Sequence, residues 1–429
     1  MRFQIPRTQT AMLLAVLVSA FGSCHDLHAQ KSKPPDPTPK PVVRYQMTLL
    51  GTLGGPSSNV VDMNSLGDVV GMSKTAETFV VNGETLYRWR PFVNLATTGS
   101  RLMIDLQAYA DRVDVEKFPP AGIDGVAPWV RWELSAVTGM NDVGQITGRG
   151  YLYDDAGVRS AEIVWRLTLV GADGFGSLEY CGSAPGGSSI VPVRINNQGD
   201  IAGRAFIGGV WTAFLYTDEH GLLNLGTLNG SETKACGLTS RVNNVVRIAG
   251  SAASDQKGWQ MQATINPGGI TVTAMQDIGS LYSRSPQTSA TGMNELGQIV
   301  GCTRVSRDAS RACRYTPGTG FRNLGTLSAT STWATSTANA VNILGDVVGN
   351  SHAGTSTLQP TLYRDDLGLV NLASLIQNFD IVKAQIGTQD FFNYALNPTE
   401  INDAGQICGP LDESQRYTTG QAWILDLVK

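Results

Sequence analysis

The chain has 429 residues, of which 42% are hydrophobic and only 16% are charged. This composition can bury a large core, which excludes an intrinsically disordered chain. The formal charge of −4 and the scattered lysines and arginines argue against a nucleic-acid partner.

The first 29 residues have the features of an export signal. Arg2 and Arg7 form a basic start, and the apolar stretch 11–21 is too short to span a bilayer. The signal ends either at an ordinary cleavage site after Ala29 or at a lipobox-like Phe-Gly-Ser-Cys, which would leave Cys24 lipidated. Both interpretations predict a secreted, periplasmic or cell-surface protein of a bacterium, with a membrane tether through Cys24 in the second case only.

Residues 30–41 are rich in proline and poor in apolar side chains, which predicts an extended linker. No later segment approaches the roughly 20 consecutive apolar residues of a transmembrane helix. We therefore expect one folded domain over residues 42–429.

A short pattern recurs seven times in this domain: Asn-x-x-Gly, a β-prone run, and a second Gly. The copies occupy 63–71, 140–148, 195–203, 242–250, 293–301, 341–349 and 401–409, with Asn64, Asn141, Asn196, Asn243, Asn294, Asn342 and Asn402 as their asparagines. Asn followed three residues later by Gly is typical of a hairpin turn that needs positive φ at the glycine. The fourth copy departs from the pattern, with Arg247 and no glycine in the turn. We interpret the asparagines as structural; the alternative is a ring of ligands for ions or sugars.

Each repeat offers about four short strands, and no long amphipathic helix pattern occurs, so the chain is expected to be all-β. The first β segment (45–55) matches the fourth strand of a repeat, such as 221–230. The chain ends with a segment (421–429) that matches the third strand, such as 212–217. The N-terminal strand therefore completes the last repeat, which predicts a seven-bladed β-propeller without open edges. The alternative, an open β-solenoid, would need capping segments at both ends.

The repeat resembles the extracellular HAF repeat, a bacterial family with an Ala-Phe strand, an Asn-Leu-Gly-Thr-Leu strand and an Ile-Asn-x-x-Gly hairpin. The segments 213–216, 224–228 and 401–405 match these elements, and the resemblance extends from about Tyr45 to the end of the chain. The histidine of the family name is replaced; Thr212, Arg311 and Gln421 stand at its position. The resemblance implies an exported repeat protein and no established activity.

Motifs for catalysis, metals and cofactors are absent from the sequence. It contains no GxSxG, HExxH, phosphate-binding loop or CxxC pair, so no catalytic residue, metal or cofactor is predicted. Beyond the signal, His220 and His352 are the only histidines, and both lie in predicted loops. Cys302 and Cys313 flank a predicted hairpin and could form a disulfide; the alternative is two buried thiols.

Two long insertions between the fourth strand of one repeat and the next asparagine hairpin, 107–140 and 376–401, are expected to carry any function, because loops on a rigid scaffold commonly do. Their aromatic and charged side chains suit a carbohydrate or protein surface. The candidate ligand-binding residues are Trp129, Arg131, Trp132, Phe391, Phe392 and Tyr394. The alternative interpretation, which is the more favoured residue by residue, is that Trp129, Trp132 and Phe391 pack the blades beneath the loops.

These observations favour an exported, non-catalytic binding or scaffold propeller that recognises a glycan or a protein outside the cytoplasm. The alternative is a carbohydrate-active hydrolase or lyase with two carboxylates near the propeller axis, because such a site leaves no motif in a sequence. Whether the protein is an enzyme stays open at this point, with the absence of a motif favouring a binding protein.

Overall fold

The computed structural model describes residues 43–96, 101–112, 129–170, 174–253, 256–328, 330–354, 358–386, 396–411 and 420–428. Within them the chain forms seven antiparallel sheets that follow one another along the sequence. The predicted signal, the linker and Cys24 lie outside the described residues. No helix in the described part is long and apolar enough to cross a membrane.

The chain begins with β1 (Tyr45–Gly51), which belongs to the last blade. Blade 1 contains β2 (Gly54–Met63), β3 (Val69–Val81), β4 (Glu84–Asn94) and β5 (Met103–Asp105). Blade 2 contains β6 (Trp129–Met140), β7 (Gln145–Asp154), β8 (Ile163–Val170) and β9 (Gly174–Ser183). Blade 3 contains β10 (Ile190–Ile195), β11 (Ile201–Ile207), β12 (Val210–Thr217) and β13 (Gly221–Gly226).

Blade 4 contains β14 (Thr233–Leu238), β15 (Val245–Ala252), β16 (Lys257–Asn266), β17 (Gly269–Val272) and β18 (Gln276–Asp277). Blade 5 contains β19 (Thr288–Met293), β20 (Ile299–Ser306), β21 (Ala309–Thr316) and β22 (Gly320–Gly325). Blade 6 contains β23 (Ser336–Val341), β24 (Val347–His352), β25 (Leu358–Arg364) and β26 (Gly368–Asn371). Blade 7 contains β27 (Glu400–Ile401), β28 (Ile407–Pro410), β29 (Ala422–Leu427) and β1. The described residues also form two short α-helices, α1 (Leu106–Ala110) and α2 (Phe379–Ile386).

The blades close into a ring, which confirms the predicted seven-bladed propeller and excludes the solenoid. The first strand of every blade contacts the first strand of the blades on both sides, including β27 of blade 7 and β2 of blade 1. β1 pairs antiparallel with β29, with Tyr45 opposite Leu427. The N-terminal strand is therefore the outermost strand of the last blade, as the order of elements at the two chain ends predicts.

The asparagine hairpins have the predicted turn geometry. In blade 1 the Gly67 N–H donates to the Asn64 carbonyl (3.1 Å), and Gly67 has a φ of 82°. The Asn64 Oδ1 caps the turn by accepting from the backbone N–H groups of Leu66 and Asp68. The left-handed conformation costs glycine little, which explains why the turn contains one.

The second glycine of the pattern is required by a close approach between strands. A Cβ added to Gly71 would lie 1.9 Å from the Asn59 carbonyl oxygen, and one added to Gly148 would lie 2.0 Å from that of Ala136. In blades 1, 2, 3, 4 and 7 the residue opposite this glycine on the third strand is aromatic: Phe92, Trp165, Phe214, Trp259 and Trp423. All five aromatic side chains are fully buried and form part of the core.

The side-chain amides of the asparagines join each blade to the next around the ring. Six Nδ2 groups donate to a backbone carbonyl of the following blade, at distances from 2.7 to 3.5 Å: Asn64 to Asn141, Asn141 to Asn196, Asn196 to Thr239, Asn294 to Asn342, Asn342 to Asn402, and Asn402 to Asn64. The seventh junction, between blades 4 and 5, uses Glu295, which accepts from the Ser240 N–H and hydroxyl. The structural interpretation of the asparagines therefore accounts for their side chains.

Blade 4 uses Thr239, and not Asn243, at the position of the ring asparagine. The Thr239 N–H donates to the Arg247 carbonyl, and the Thr239 Oγ1 accepts from the Arg247 N–H, as the other blades do with asparagine. Asn243 and Asn244 instead form the exposed tip of a longer hairpin, with positive φ values of 52° and 64°. The sequence pattern therefore misplaces this copy by four residues.

This difference gives a matched test of the asparagine ring. Asn402→Ala removes the cap of one turn and one inter-blade bond, so we expect the free energy of unfolding to fall by about 2–3 kcal/mol. Asn243→Gly changes an asparagine of the same sequence pattern outside the ring and should leave stability within about 0.5 kcal/mol of the wild type. Urea denaturation followed by tryptophan fluorescence measures both values. Equal effects of the two substitutions would contradict a joining role for the ring.

Candidate functional site

The tryptophans predicted in the first insertion are part of the core. Trp129 and Trp132 lie on β6, are 2% and 1% exposed, and pack with Leu106 of α1. Both rings are buried, as expected if the aromatic residues pack in the core, and neither ring is available to a ligand. Arg131 alone is exposed, with its guanidinium 4.2 Å from the centre of the Tyr153 ring.

In the second insertion, Phe391, Phe392 and Tyr394 lie outside the described residues. The described start of this insertion holds the N-terminal strand in place. The Asn378 side chain accepts from the Met47 N–H and donates to the Met47 carbonyl, both at 2.8 Å. Ile376 forms a parallel bridge with Tyr45. This segment thus acts as a clamp on the outer edge of blade 7.

The structure does not bring Cys302 and Cys313 together. Cys302 lies opposite Ala312 and Cys313 lies opposite Gly301, so the two side chains project from opposite faces of the sheet. Both are free thiols, Cys313 buried and Cys302 half-buried.

Both histidines are held by local polar groups. The Nε2 atom of His220 is 2.7 Å from the Asn266 carbonyl oxygen, and the Nδ1 atom of His352 is 2.9 Å from the Thr335 Oγ1. These contacts lie on separate blades and the described residues place no carboxylate within hydrogen-bonding distance of either ring. The geometry of a Ser-His-Asp or Cys-His site is not formed in this part of the chain.

A group of three charged side chains crosses the central channel. Arg194 of blade 3 forms ion pairs with Asp62 of blade 1, at 3.2 Å, and with Glu400 of blade 7. Asp62 also accepts from the backbone N–H groups of Met63 and Met140, both at 3.0 Å. Because blade 3 is adjacent to neither blade 1 nor blade 7, the guanidinium must reach across the axis.

These three residues occupy equivalent positions of the innermost strands. Pairing with the second strand of each blade aligns Asp62, Gly139, Arg194, Gly237, Gly292, Ala340 and Glu400. The other four positions carry glycine or alanine, which leaves room for the arginine. Sequence reasoning could not find this group, because its members are up to 338 residues apart and the paired positions are visible only in the sheet register.

Burial dominates the protonation of this group. Loss of solvent, followed by the negative charge of Asp62, raises the pKa of Glu400 to about 7, although Arg194 opposes the shift. Burial also raises the pKa of Asp62, with Arg194 again opposing. The thiols of Cys236 and Cys408 lie within electrostatic range of the group, and burial raises the pKa of both above the usual range. They are neutral at physiological pH and therefore poor nucleophiles.

One mouth of the channel carries three carboxylates, Asp142, Glu295 and Asp403. Each accepts from a backbone N–H of the preceding blade: Asp142 from Ser65, Glu295 from Ser240, and Asp403 from Ile343. Burial, followed by the charges of Asp142 and Asp403, raises the pKa of Glu295. These hydrogen bonds give the carboxylates a joining role between blades.

A groove of about 430 Å³ lies between blades 4 and 5, where blade 4 departs from the repeat. The outer edge of blade 4 is split, since β16 pairs with β17 at one end and with β18 at the other. The groove is lined by Arg247, Gln260, Gln262, Thr273 and Gln276, together with Met261, Met293 and Pro317. Arg247 donates to the Leu296 carbonyl of blade 5 (3.2 Å), and Gln262 and Gln276 are exposed.

Sequence reasoning missed this groove and a second feature, a long hairpin in blade 1. The sequence contains a signal for each of these two features. Arg247 marks the irregular fourth copy, and Val-Asn-Gly-Glu at 81–84 is a strong two-residue hairpin pattern between β-prone segments.

No family model matches the chain, and no curated protein matches it. Among solved structures, the chain is similar to the β-propeller domain of the Trilobed protease from Pyrococcus furiosus, with 7% identity over 87% of this chain and 94% of that chain and a TM-score of 0.48. A putative TolB from Agrobacterium tumefaciens has 14% identity over 52% of this chain and 76% of that chain, with a TM-score of 0.32. The gluconolactonase XC5397 from Xanthomonas campestris has 10% identity over 65% of this chain and 82% of that chain, with a TM-score of 0.31. Likeness at these identities concerns the fold alone.

The raised pKa of Glu400 predicts a pH dependence of stability. Because the folded-state pKa of about 7 exceeds the ordinary value of 4.5, the folded protein holds this proton over the interval between them. The stabilising effect of this bound proton is complete at low pH and is lost as the pH rises through 7. We expect the free energy of unfolding to fall by up to about 3 kcal/mol between about pH 5 and about pH 8, and Glu400→Gln to remove most of this fall. Urea denaturation across this range measures it.

Asp308→Asn changes an exposed carboxylate and is the control; it should keep the wild-type pH profile. A Glu400→Gln profile as steep as that of the wild type would contradict the assignment of the proton to this side chain.

Proposed function

We propose that this chain is an exported, non-catalytic propeller that binds a glycan in the groove between blades 4 and 5. One observation carries the proposal. The two places where blade 4 departs from the repeat, the turn before Arg247 and the split between β17 and β18, border the same groove. Departures from an otherwise consistent pattern are expected at functional sites.

The lining of the groove suits a neutral sugar. The amides of Gln260, Gln262 and Gln276 each offer a donor and an acceptor, and Arg247 adds further donors, which matches the hydroxyl groups of a carbohydrate. Met293 and Pro317, both half-buried, offer apolar surface for the carbon–hydrogen faces of the ring. A volume of about 430 Å³ lies within the usual range of ligand sites.

Binding is favoured over hydrolysis by the position of the carboxylates. Glycoside hydrolysis needs two carboxyl groups on either side of the scissile bond. Among the described residues, no carboxylate lines this groove, and Asp62 and Glu400 in the channel are paired with Arg194. The carboxylates at the mouth of the channel accept backbone hydrogen bonds that join blades: Asp142, Glu295 and Asp403. Export is supported by the N-terminal segment and by the resemblance to exported repeat proteins.

A glycan panel with two matched variants tests the proposal. The double substitution Gln262→Ala and Gln276→Ala should weaken binding of neutral hexose and N-acetylhexosamine oligosaccharides at least about tenfold, because two groups that pair with sugar hydroxyls are removed. Gln46→Ala changes an exposed glutamine on blade 7 and should have no effect. Titration calorimetry measures the dissociation constants, and reducing-end assays detect cleavage.

Wild-type protein that binds no member of the panel would contradict the proposal, as would unchanged binding by the double variant. Release of sugar products by the purified wild type would favour the hydrolase alternative.

A further inference from the structure

The hairpin of blade 1 extends beyond the propeller as a two-stranded ribbon. Pairing of β3 with β2 ends at Thr75, and pairing of β4 with β5 begins only at Phe92. Between these points residues 76–90, here called the blade 1 ribbon, consist of β3 and β4 alone within the described part of the chain. Asn82 and Gly83, with φ values of 52° and 85°, form the tight turn at its tip.

The ribbon exposes apolar side chains on both faces. Its exposed hydrophobic residues, between 39% and 68% accessible, are Phe79, Val80, Val81, Leu86, Tyr87 and Trp89. Phe79 lies opposite Leu86 on one face, and Val80 and Tyr87 lie on the other. Six exposed apolar side chains on one short ribbon mark an interaction surface, in contrast to single exposed hydrophobic residues.

The outer edge of β4 is an open row of backbone groups. In a two-residue hairpin the residues next to the turn, Val81 and Glu84, exchange hydrogen bonds with each other, and this pattern alternates along the ribbon. The N–H and C=O groups of Thr85, Tyr87 and Trp89 therefore point away from β3. Pro91 ends this row, since it has no N–H to donate.

We propose that the blade 1 ribbon pairs with the ribbon of a second copy of this chain. β4 of each copy runs antiparallel to β4 of the other about a twofold axis at Leu86. Thr85 and Tyr87 of the two copies exchange hydrogen bonds, and the two Leu86 side chains face each other in a non-hydrogen-bonded pair.

Charge complementarity favours a second copy of the chain as the partner, and it favours this register of the two β4 strands. With the axis at Leu86, Glu84 of each copy lies opposite Arg88 of the other, which gives two attractive cross-strand pairs. The Arg88 Nε forms an ion pair with Glu77 at 3.0 Å, and the side chain is still 56% exposed. Because a guanidinium has five N–H donors, Arg88 can also bond to Glu84 of the other copy. Moving the axis to Tyr87 would place Leu86 opposite Arg88 and would bring Pro91 into the paired row. Glu84 would then face Arg90, which is already paired with Asp105 at 2.9 Å.

The same charges disfavour a lipid surface as the partner. Glu84 adjoins the tip of the ribbon and Glu77 lies near its base, so insertion of the apolar side chains would bring carboxylates toward the headgroups. A dimer keeps both carboxylates beside arginines.

Cross-linking of the full chain tests the register. A non-hydrogen-bonded pair brings two Cα atoms to about 4.5 Å, which a disulfide can span. Leu86→Cys should therefore give a covalent dimer on a non-reducing gel under mild oxidation. Val80→Cys places a more exposed thiol on the other strand of the same ribbon and should remain monomeric on the gel.

Charge reversal in two separate variants tests the pairing independently. Glu84→Arg alone and Arg88→Glu alone each turn both cross-strand pairs repulsive, so each should weaken the dimer about tenfold or more in sedimentation velocity. An equimolar mixture of the two variants restores opposite charges at both positions and should dimerise like the wild type. A variant that had merely misfolded would not be rescued by mixing.

Three outcomes would overturn the proposal. The first is a wild-type chain that sediments as a monomer up to about 100 µM. The second is a dimer in which Leu86→Cys cross-links no better than Val80→Cys and the mixture is not rescued, which would place the interface elsewhere. The third is flotation of the monomer with phospholipid vesicles, abolished by Val80→Lys, which would assign the ribbon to a lipid surface.

Discussion

Six of the seven blades depend on one side chain that has two functions. The asparagine of the repeat caps its own hairpin through Oδ1 and bonds to the next blade through Nδ2. Local turn formation and closure of the ring therefore use the same residue, so a hairpin that folds correctly also presents the donor that its neighbour needs. This agreement between local and global preferences is what a repeat protein needs to specify one closed structure. Blade 4 shows the limit of the rule, since Thr239 caps the turn but cannot supply the amide, and Glu295 bonds to Ser240 instead.

The charged group in the channel breaks the symmetry that the repeat creates. Arg194 fits across the axis because Gly139, Gly237, Gly292 and Ala340 are small at the equivalent positions. Buried ion pairs rarely add much stability over apolar residues, because desolvation offsets their attraction. Their geometry is nonetheless specific. Only blades 1, 3 and 7 carry these charges, so their pairing requires these three blades to lie at fixed positions around the ring.

Much of the fold could be predicted from the sequence, because the repeat encodes it. The hairpins, the closing N-terminal strand and the all-β class follow from spacing and turn chemistry alone. The predicted site residues fared differently. Trp129 and Trp132 looked like loop residues, since a sequence cannot distinguish an inserted loop from a strand that continues beyond its blade. The cross-channel group, in turn, depends on sheet register, which no local pattern contains. Thr239 was missed because the sequence pattern contains an asparagine. Asn243, four residues later, fits that pattern although Thr239 occupies the ring position.

The features that are not repeated are the informative ones for function. A residue present in every copy is explained by hairpin geometry or by the junction between blades, which leaves the departures to be explained. The groove lies where blade 4 departs from the repeat, and the ribbon is a departure in blade 1. Because the two features lie on different blades, a ligand in the groove leaves the ribbon accessible. A dimer joined through blade 1 would carry two grooves on a single assembly. Two weak sites held at a fixed separation bind a repetitive ligand far more tightly than either alone, because the second contact forms at a high effective concentration. Glycan chains are repetitive ligands of this kind, so self-association through the ribbon would strengthen glycan binding without any additional contact in the groove.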